Sequence, residues 1–264
     1  MACLALPLPQ AVTRTMKTFL TLFLLPLAMA ALAAEPAPAL IARGDAFDRQ
    51  LKTRDALAAY LEAEKSEPKD ADLLRKIAKQ YAELMPGVSA KAEKLKLGEK
   101  SVDYVKRAVA LDPRDAKVQL SAAICYGRLA PLLDNRAKIE ASRLVKDYVE
   151  RAIKLDPADD YAWHVLGAWN YELANLNSLL RGLAGLIYGT LPSASNDKAV
   201  ECFQKAIDLA PQRVSHRIEI GRAYAALGRK DLARDALEKG LALPSREKDD
   251  EDTKRRGRDA LGKL

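Results

Sequence analysis

The sequence predicts an all-α protein, an α-solenoid of about five helix-turn-helix repeats, and three observations predict it. Of the 264 residues 49% are apolar but only 6% aromatic, and Ala, Leu, Lys, Arg, Asp and Glu dominate, a mixture that favours helices. No run of alternating β-branched residues argues for a sheet. Residues 206–244 then read as one complete repeat unit. Counted from Val214 as position 1, they place Ile220 at 7, Gly221 at 8, Tyr224 at 11, Ala233 at 20, Leu237 at 24 and Gly240 at 27. Two antiparallel helices approach closely only where one presents Gly or Ala, so alternating small and large residues mark their crossing. Gly228 stands between the two helices, where a positive φ is easiest for glycine.

These positions are those of the tetratricopeptide repeat, and the same spacing recurs along the chain. Residues 37–70 form a first repeat without a gap, with Gly44 at position 8, Tyr60 at 24 and Ala63 at 27. A second opens at Ala71, with Ala78 at 8 and Tyr81 at 11, and closes on Val105 and Ala108 only if 11 extra residues separate its helices. A third opens at Ala116, with Ala123 at 8, and closes on Val149 and Ala152 after 10 extra residues. Ten or eleven residues make about three helical turns, which predicts that both helices of these two hairpins lengthen by about one and a half turns. The fourth opens at Asp160, with Gly167 at 8, and closes on Phe203 and Ala206 after 20 extra residues, which contain the apolar insert 176–191. Within that insert Leu179, Leu180, Leu183, Leu186, Ile187 and Tyr188 form a candidate lid.

Both ends differ from the repeats. Lys17 precedes the uncharged apolar run 18–34, which ends in small residues with an A-x-A pattern. Residues 1–34 therefore read as a secretory signal peptide, with 1–15 as an upstream extension ahead of Met16-Lys17. The expected location is outside the inner membrane, in the periplasm, the alternative being an uncleaved N-terminal anchor. The repeat domain is expected over 37–247, and the charged residues 248–264 read as a capping helix for the last repeat, with Ala260, Leu261 and Leu264 inward. Loss of the signal removes Cys3; Cys125 and Cys202, at repeat positions 10 and 23, face neighbouring helices and read as buried apolar residues or, in an oxidising compartment, a disulfide.

The formal charge of +7 is spread over interleaved acids and bases, the pattern of solvated helix faces and not of a nucleic-acid patch. No cofactor motif, metal-ligand spacing or nucleophile set is found, and the chain is expected to be no enzyme. The paired acids Asp159 and Asp160 read as caps on the following helix. The candidate site is the concave groove lined by positions 2, 5, 9 and 12 of each first helix. Arg75, Lys79 and Lys117 supply bases at one end and Arg222 at the other; Leu120, Ile124, Tyr161, His164, Tyr171 and Ile218 supply the apolar and aromatic middle. Such a trough suits an amphipathic lipid with its phosphate on the bases, or a helix or extended peptide of an envelope protein. Alternatively its apolar residues pack under the insert. Membrane association through a mature transmembrane helix is not expected.

Three stretches carry a more specific likeness: AAICYGRLAPLL at 122–133, VERAIKLDPADDYAWHVLGAWNYELANL at 149–176, and YGTLPSASNDKAVECFQKAIDLAP at 188–211. Over most of residues 45–245, unequal inserts included, the sequence resembles the regulator of microtubule dynamics proteins. The resemblance implies a tetratricopeptide-type helical domain, and phospholipid binding and transfer in the manner of the member at contacts between endoplasmic reticulum and mitochondria. A bacterial-type export leader stands here in place of that family's organelle targeting.

Overall fold

The computed structural model describes residues 1–2, 35–188 and 193–264, without the side chains of Leu179, Ile187 and Tyr188; the signal segment lies outside the described residues. The unit Glu35–Leu264 is all-helical among its described residues. Five hairpins follow one another: α1 Ala37–Arg49 with α2 Thr53–Glu64, α3 Ala71–Leu84 with α4 Lys91–Leu111, α5 Ala116–Leu129 with α6 Asn135–Leu155, α7 Asp160–Ala174 with α9 Asn196–Leu209, and α10 Val214–Ala226 with α11 Lys230–Ala242. The insert contributes α8 Ser178–Tyr188, and α12 Asp250–Leu261 ends the chain.

Every hairpin closes on the pair at positions 8 and 24. A Cβ added to Gly44 would run into the Tyr60 ring, one on Gly167 would stand 2.8 Å from the Phe203 ring, and one on Gly221 2.7 Å from Leu237. Where position 8 is alanine, at Ala78 and Ala123, position 24 shrinks to Val105 and Val149, and all four side chains are fully buried. The volume shared by the two positions is thus held nearly constant, as close packing requires. The connecting turns follow backbone rules: Gly228 takes φ +71°, and Leu51, at the same place in the first hairpin, is forced to φ 59°.

The extra residues of the second and third hairpins are not shared between both helices. The first helices remain at 14 residues each, α3 and α5, while α4 and α6 reach 21. Proline is the cause. Pro86 and Pro131 each turn the end of the first helix into a single 3-10 turn, because proline has no N–H to continue the ladder. Asp70, Asp115, Asp134 and Asp159 cap α3, α5, α6 and α7 by accepting backbone N–H bonds. Asp160 does not cap; its carboxylate serves the interior of the neighbouring repeat.

The C-terminal helix does two things. Its inner face, with Ala260, Leu261 and Leu264, joins the apolar cluster of Val214, Ile218 and Leu237. Gly257 lies so close to Ile218 that an added Cβ would be 2.6 Å away, so α12 also covers the concave side of α10. The preceding link then runs back across the first helices.

The pairing of positions 8 and 24 has a sign to test. Gly167→Ala returns about 1 kcal/mol of helix propensity but overpacks Phe203, at about 1–3 kcal/mol. In chemical denaturation it is expected to destabilise the protein, whereas in a Phe203→Val background the same change is expected to be neutral or stabilising. The same destabilisation in both backgrounds would contradict the pairing.

Candidate functional site

The first helices of the second, third and fourth repeats present their groove positions to one chamber of about 730 Å³. Arg75, Lys79, Lys117, Leu120, Ile124, Tyr161 and His164 line it, as expected from their positions. Three of the expected residues do not. Ile218 is fully buried beneath α12, Tyr171 packs against the cluster of Phe203, Ile220 and Ala223 that joins the fourth and fifth hairpins, and the Arg222 guanidinium lies 4.8 Å over the Tyr171 ring.

The expected phosphate-binding bases are mostly engaged already. Arg75 pairs with Asp72 at 2.6 Å, Lys79 with Asp48 at 2.6 Å and Arg222 with Glu219 at 2.5 Å. Lys117 is exposed and has no ion-pair partner among the described residues. Two bases at non-groove positions are the ones that matter structurally: Arg128, one residue beyond the last groove position of its helix, and Arg213, just before α10.

Among the described residues the roof of the chamber comes from the C-terminal side and not from the insert. Residues 245–253, the link after α11 and the first turn of α12, form a strap. Lys248 donates to the Thr53 hydroxyl at 2.6 Å and the Glu83 carbonyl at 2.8 Å, Asp249 pairs with Arg128, and Glu247 pairs with Arg213 at 2.6 Å. The buried Asp250 carboxylate accepts the N–H groups of Arg246 and Glu247, both at 2.7 Å, and holds the strap's turn. Burial works against the charge of Arg128, yet Asp249 beside it keeps the guanidinium above its ordinary value. Burial raises the Glu247 carboxyl although Arg213 opposes the shift.

The insert lies elsewhere. α8 packs on α6, and Leu180 and Ala184 help enclose a second cavity of about 560 Å³ with Ile124, Ile139, Val145, Trp169 and Leu173. Leu183 is half-buried and Leu186 is 82% exposed; the side chains of Leu179, Ile187 and Tyr188 lie outside the described residues. The two cavities adjoin at Ile124, Tyr161 and His164.

Both histidines meet at this junction. His216 Nε2 is 2.8 Å from the Asp160 carboxylate and its Nδ1 is 3.0 Å from His164 Nδ1, with Arg213 also 2.9 Å from Asp160. Burial pushes the Asp160 carboxyl up, but the His216 hydrogen bond and Arg213 bring it below the ordinary value, so it accepts and does not donate. His216 therefore donates through Nε2 and accepts through Nδ1; His164 donates its Nδ1–H and keeps its Nε2 lone pair. Burial, with the neighbouring His216, holds His164 well below its ordinary value of 6.5, and burial lowers His216 despite Asp160. Among the described residues no hydroxyl or thiol completes this row as a nucleophile, and no three ligand side chains gather for a metal. Cys125 and Cys202 are buried free thiols, pushed up by burial to about 12 and about 11.

Neutral buried histidines bind fewer protons than the unfolded chain below pH 6.5, so their contribution to stability is full above that pH and is lost as pH falls through and below it. Each can contribute a slope of up to about 1.4 kcal/mol per pH unit in that window. His164→Leu/His216→Leu is expected to flatten the fall in melting temperature between about pH 7.5 and pH 5. An unchanged slope would mean that the pair is not neutral in the folded protein.

The comparisons with known proteins agree with this architecture. The family described as regulator of microtubule dynamics protein 1-3 matches residues 40–264. Regulator of microtubule dynamics protein 1 of Bos taurus is 26% identical over 202 residues, 75% of this chain and 62% of that protein. The Caenorhabditis elegans protein of the same description is 28% identical over 179 residues, 68% of this chain and 79% of that one. The chain thus spans less than two thirds of the bovine relative. A thermophilic TPR protein of Thermus thermophilus superimposes with a TM-score of 0.59 at 20% identity, covering 85% of this chain and 98% of its own, a likeness of fold. With all but the N-terminal residues matched, and five hairpins of the tetratricopeptide type in place, the chain belongs to the regulator of microtubule dynamics protein family.

Proposed function

We propose that this chain is a noncatalytic interaction scaffold that grips an extended or helical segment of a protein partner in its concave groove. The observation that carries the reading is the chamber itself: one surface assembled from the first helices of successive repeats, mixing the exposed Lys117 with Leu120 and Ile124. Polar groups that fix register beside apolar residues that supply burial are what peptide grooves use. The apolar run 18–34 supports export, and we place the partner in the cell envelope. Among the described residues no helix is long and apolar enough to cross a membrane.

A second reading keeps the amphipathic lipid but moves it. Arg75, Lys79 and Arg222 already hold carboxylates, so a phosphate there would have to displace an acid. The cavity under α8, with Ile139, Val145, Trp169, Leu173 and Ala184, is of the size and apolar character that takes a small ligand or an acyl chain.

One preparation tests both. Full-length tagged protein, cross-linked in cells that export it, is expected to retain an envelope partner. Lys117→Glu/Ile124→Arg should reduce its capture about tenfold or more while the melting temperature stays near wild type. Capture that survives this variant would remove the groove reading. Stoichiometric phospholipid in an organic extract, lost in Ala184→Trp, would favour the second reading.

A further inference from the structure

The strap and the groove wall it covers carry opposite excesses of charge. Without residues 245–253, the chamber wall carries the cations Arg75, Lys79, Lys117, Arg128, Arg213 and Arg256 against the carboxylates Asp48, Glu83 and Asp159. The strap carries the opposite excess: Glu247, Asp249, Asp250, Glu251 and Asp252 against Arg246 and Lys248. Two of those carboxylates pair with wall cations: Glu247 with Arg213, which Asp160 also holds at 2.9 Å, and Asp249 with Arg128, which pairs with no other acid among the described residues. Its side chains reach Arg128 in α5, the Glu83 carbonyl in α3 and, through Lys248, the Thr53 hydroxyl in the first hairpin, so the strap covers the groove across successive repeats.

We propose that the groove is a receptor for an acidic, extended protein segment, and that residues 245–253 occupy it as an intramolecular competitor. This rests on the interaction-scaffold reading and names its partner class and its control. The hold is of a kind that can be exchanged. Arg128 and Asp249 retain 26% and 41% of their side-chain exposure, Arg213 and Glu247 30% and 41%, so these pairs are partly hydrated and give way to better-placed acids. Anchorage of α12 on Ile218 and Leu237 keeps the strap attached when it lifts, and its local concentration stays high because the tether is short. A partner therefore meets a groove whose open fraction scales its apparent affinity. Lys117, which pairs with no strap carboxylate among the described residues, gives an incoming acidic segment a first contact.

The test uses the full chain and a fluorescein-labelled peptide of the strap sequence, SREKDDEDT. Glu247→Gln/Asp249→Asn weakens the internal competitor without touching Asp250 or the packing of α12. This variant is expected to bind the peptide about tenfold more tightly than wild type, in proportion to the gain in open fraction. Adding Arg128→Gln/Arg213→Gln is expected to abolish that binding, with circular dichroism and melting confirming the fold of each variant. Equal affinity of wild type and the Gln/Asn variant, binding that survives loss of both arginines, or no binding to any of the proteins would each overturn the proposal. Partner capture that depends on Lys117 and Ile124 alongside any of these outcomes would leave the scaffold reading intact; loss of both would remove both.

Discussion

In each hairpin a small residue at position 8 meets a larger one at position 24, and their contact fixes how closely the two helices approach. Gly44 with Tyr60, Gly167 with Phe203 and Gly221 with Leu237 set it one way, and Ala78 with Val105 and Ala123 with Val149 another. With no room between the helices, each hairpin is a stiff unit, and successive units can only stack. Stacking sets the first helices side by side, and that alone brings Arg75, Leu120, Ile124 and Tyr161, drawn from three repeats, into one chamber.

A surface built this way has no means of closing from within, because each hairpin contacts mainly its neighbours. Segments free of the stacking rule do the closing. α8 lies along α6 and encloses an apolar cavity; the link before α12 crosses the groove with ion pairs at Arg128 and Arg213. The two solutions differ in chemistry: one is apolar, with Leu180 and Ala184, and the other rests on partly exposed ion pairs. Between them stands the row Asp160–His216–His164, which ties the fourth repeat to the fifth at the junction of the two cavities.

What is legible in the sequence follows from the range of the interactions. Positions 8 and 24 lie within one hairpin, so their sizes can be read directly, and so can the turn at Gly228 and the capping Asp159. The division of the long hairpins is not legible from repeat length alone, because Pro86 and Pro131 end the first helix in a 3-10 turn and leave most of the extension to the second. The histidine pair links positions 5 and 3 of different repeats, a relation that numbering within a repeat does not express. The strap depends on contacts between residues 121 and 195 positions apart, Arg128 with Asp249 and Thr53 with Lys248. Its one local sign is the acidic run of residues 247–252, which also suits the first turn of a capping helix.

A rigid stack of hairpins under a strap that can lift from its groove should show two classes of amide in hydrogen exchange across the full chain. Amides of α7, α9, α10 and α11 are expected to exchange only with global unfolding, while those of residues 245–249 exchange through a local opening many times faster. Strap amides as slow as those of the hairpins would contradict the account, because a strap that opens only when the whole protein unfolds cannot yield the groove to a partner.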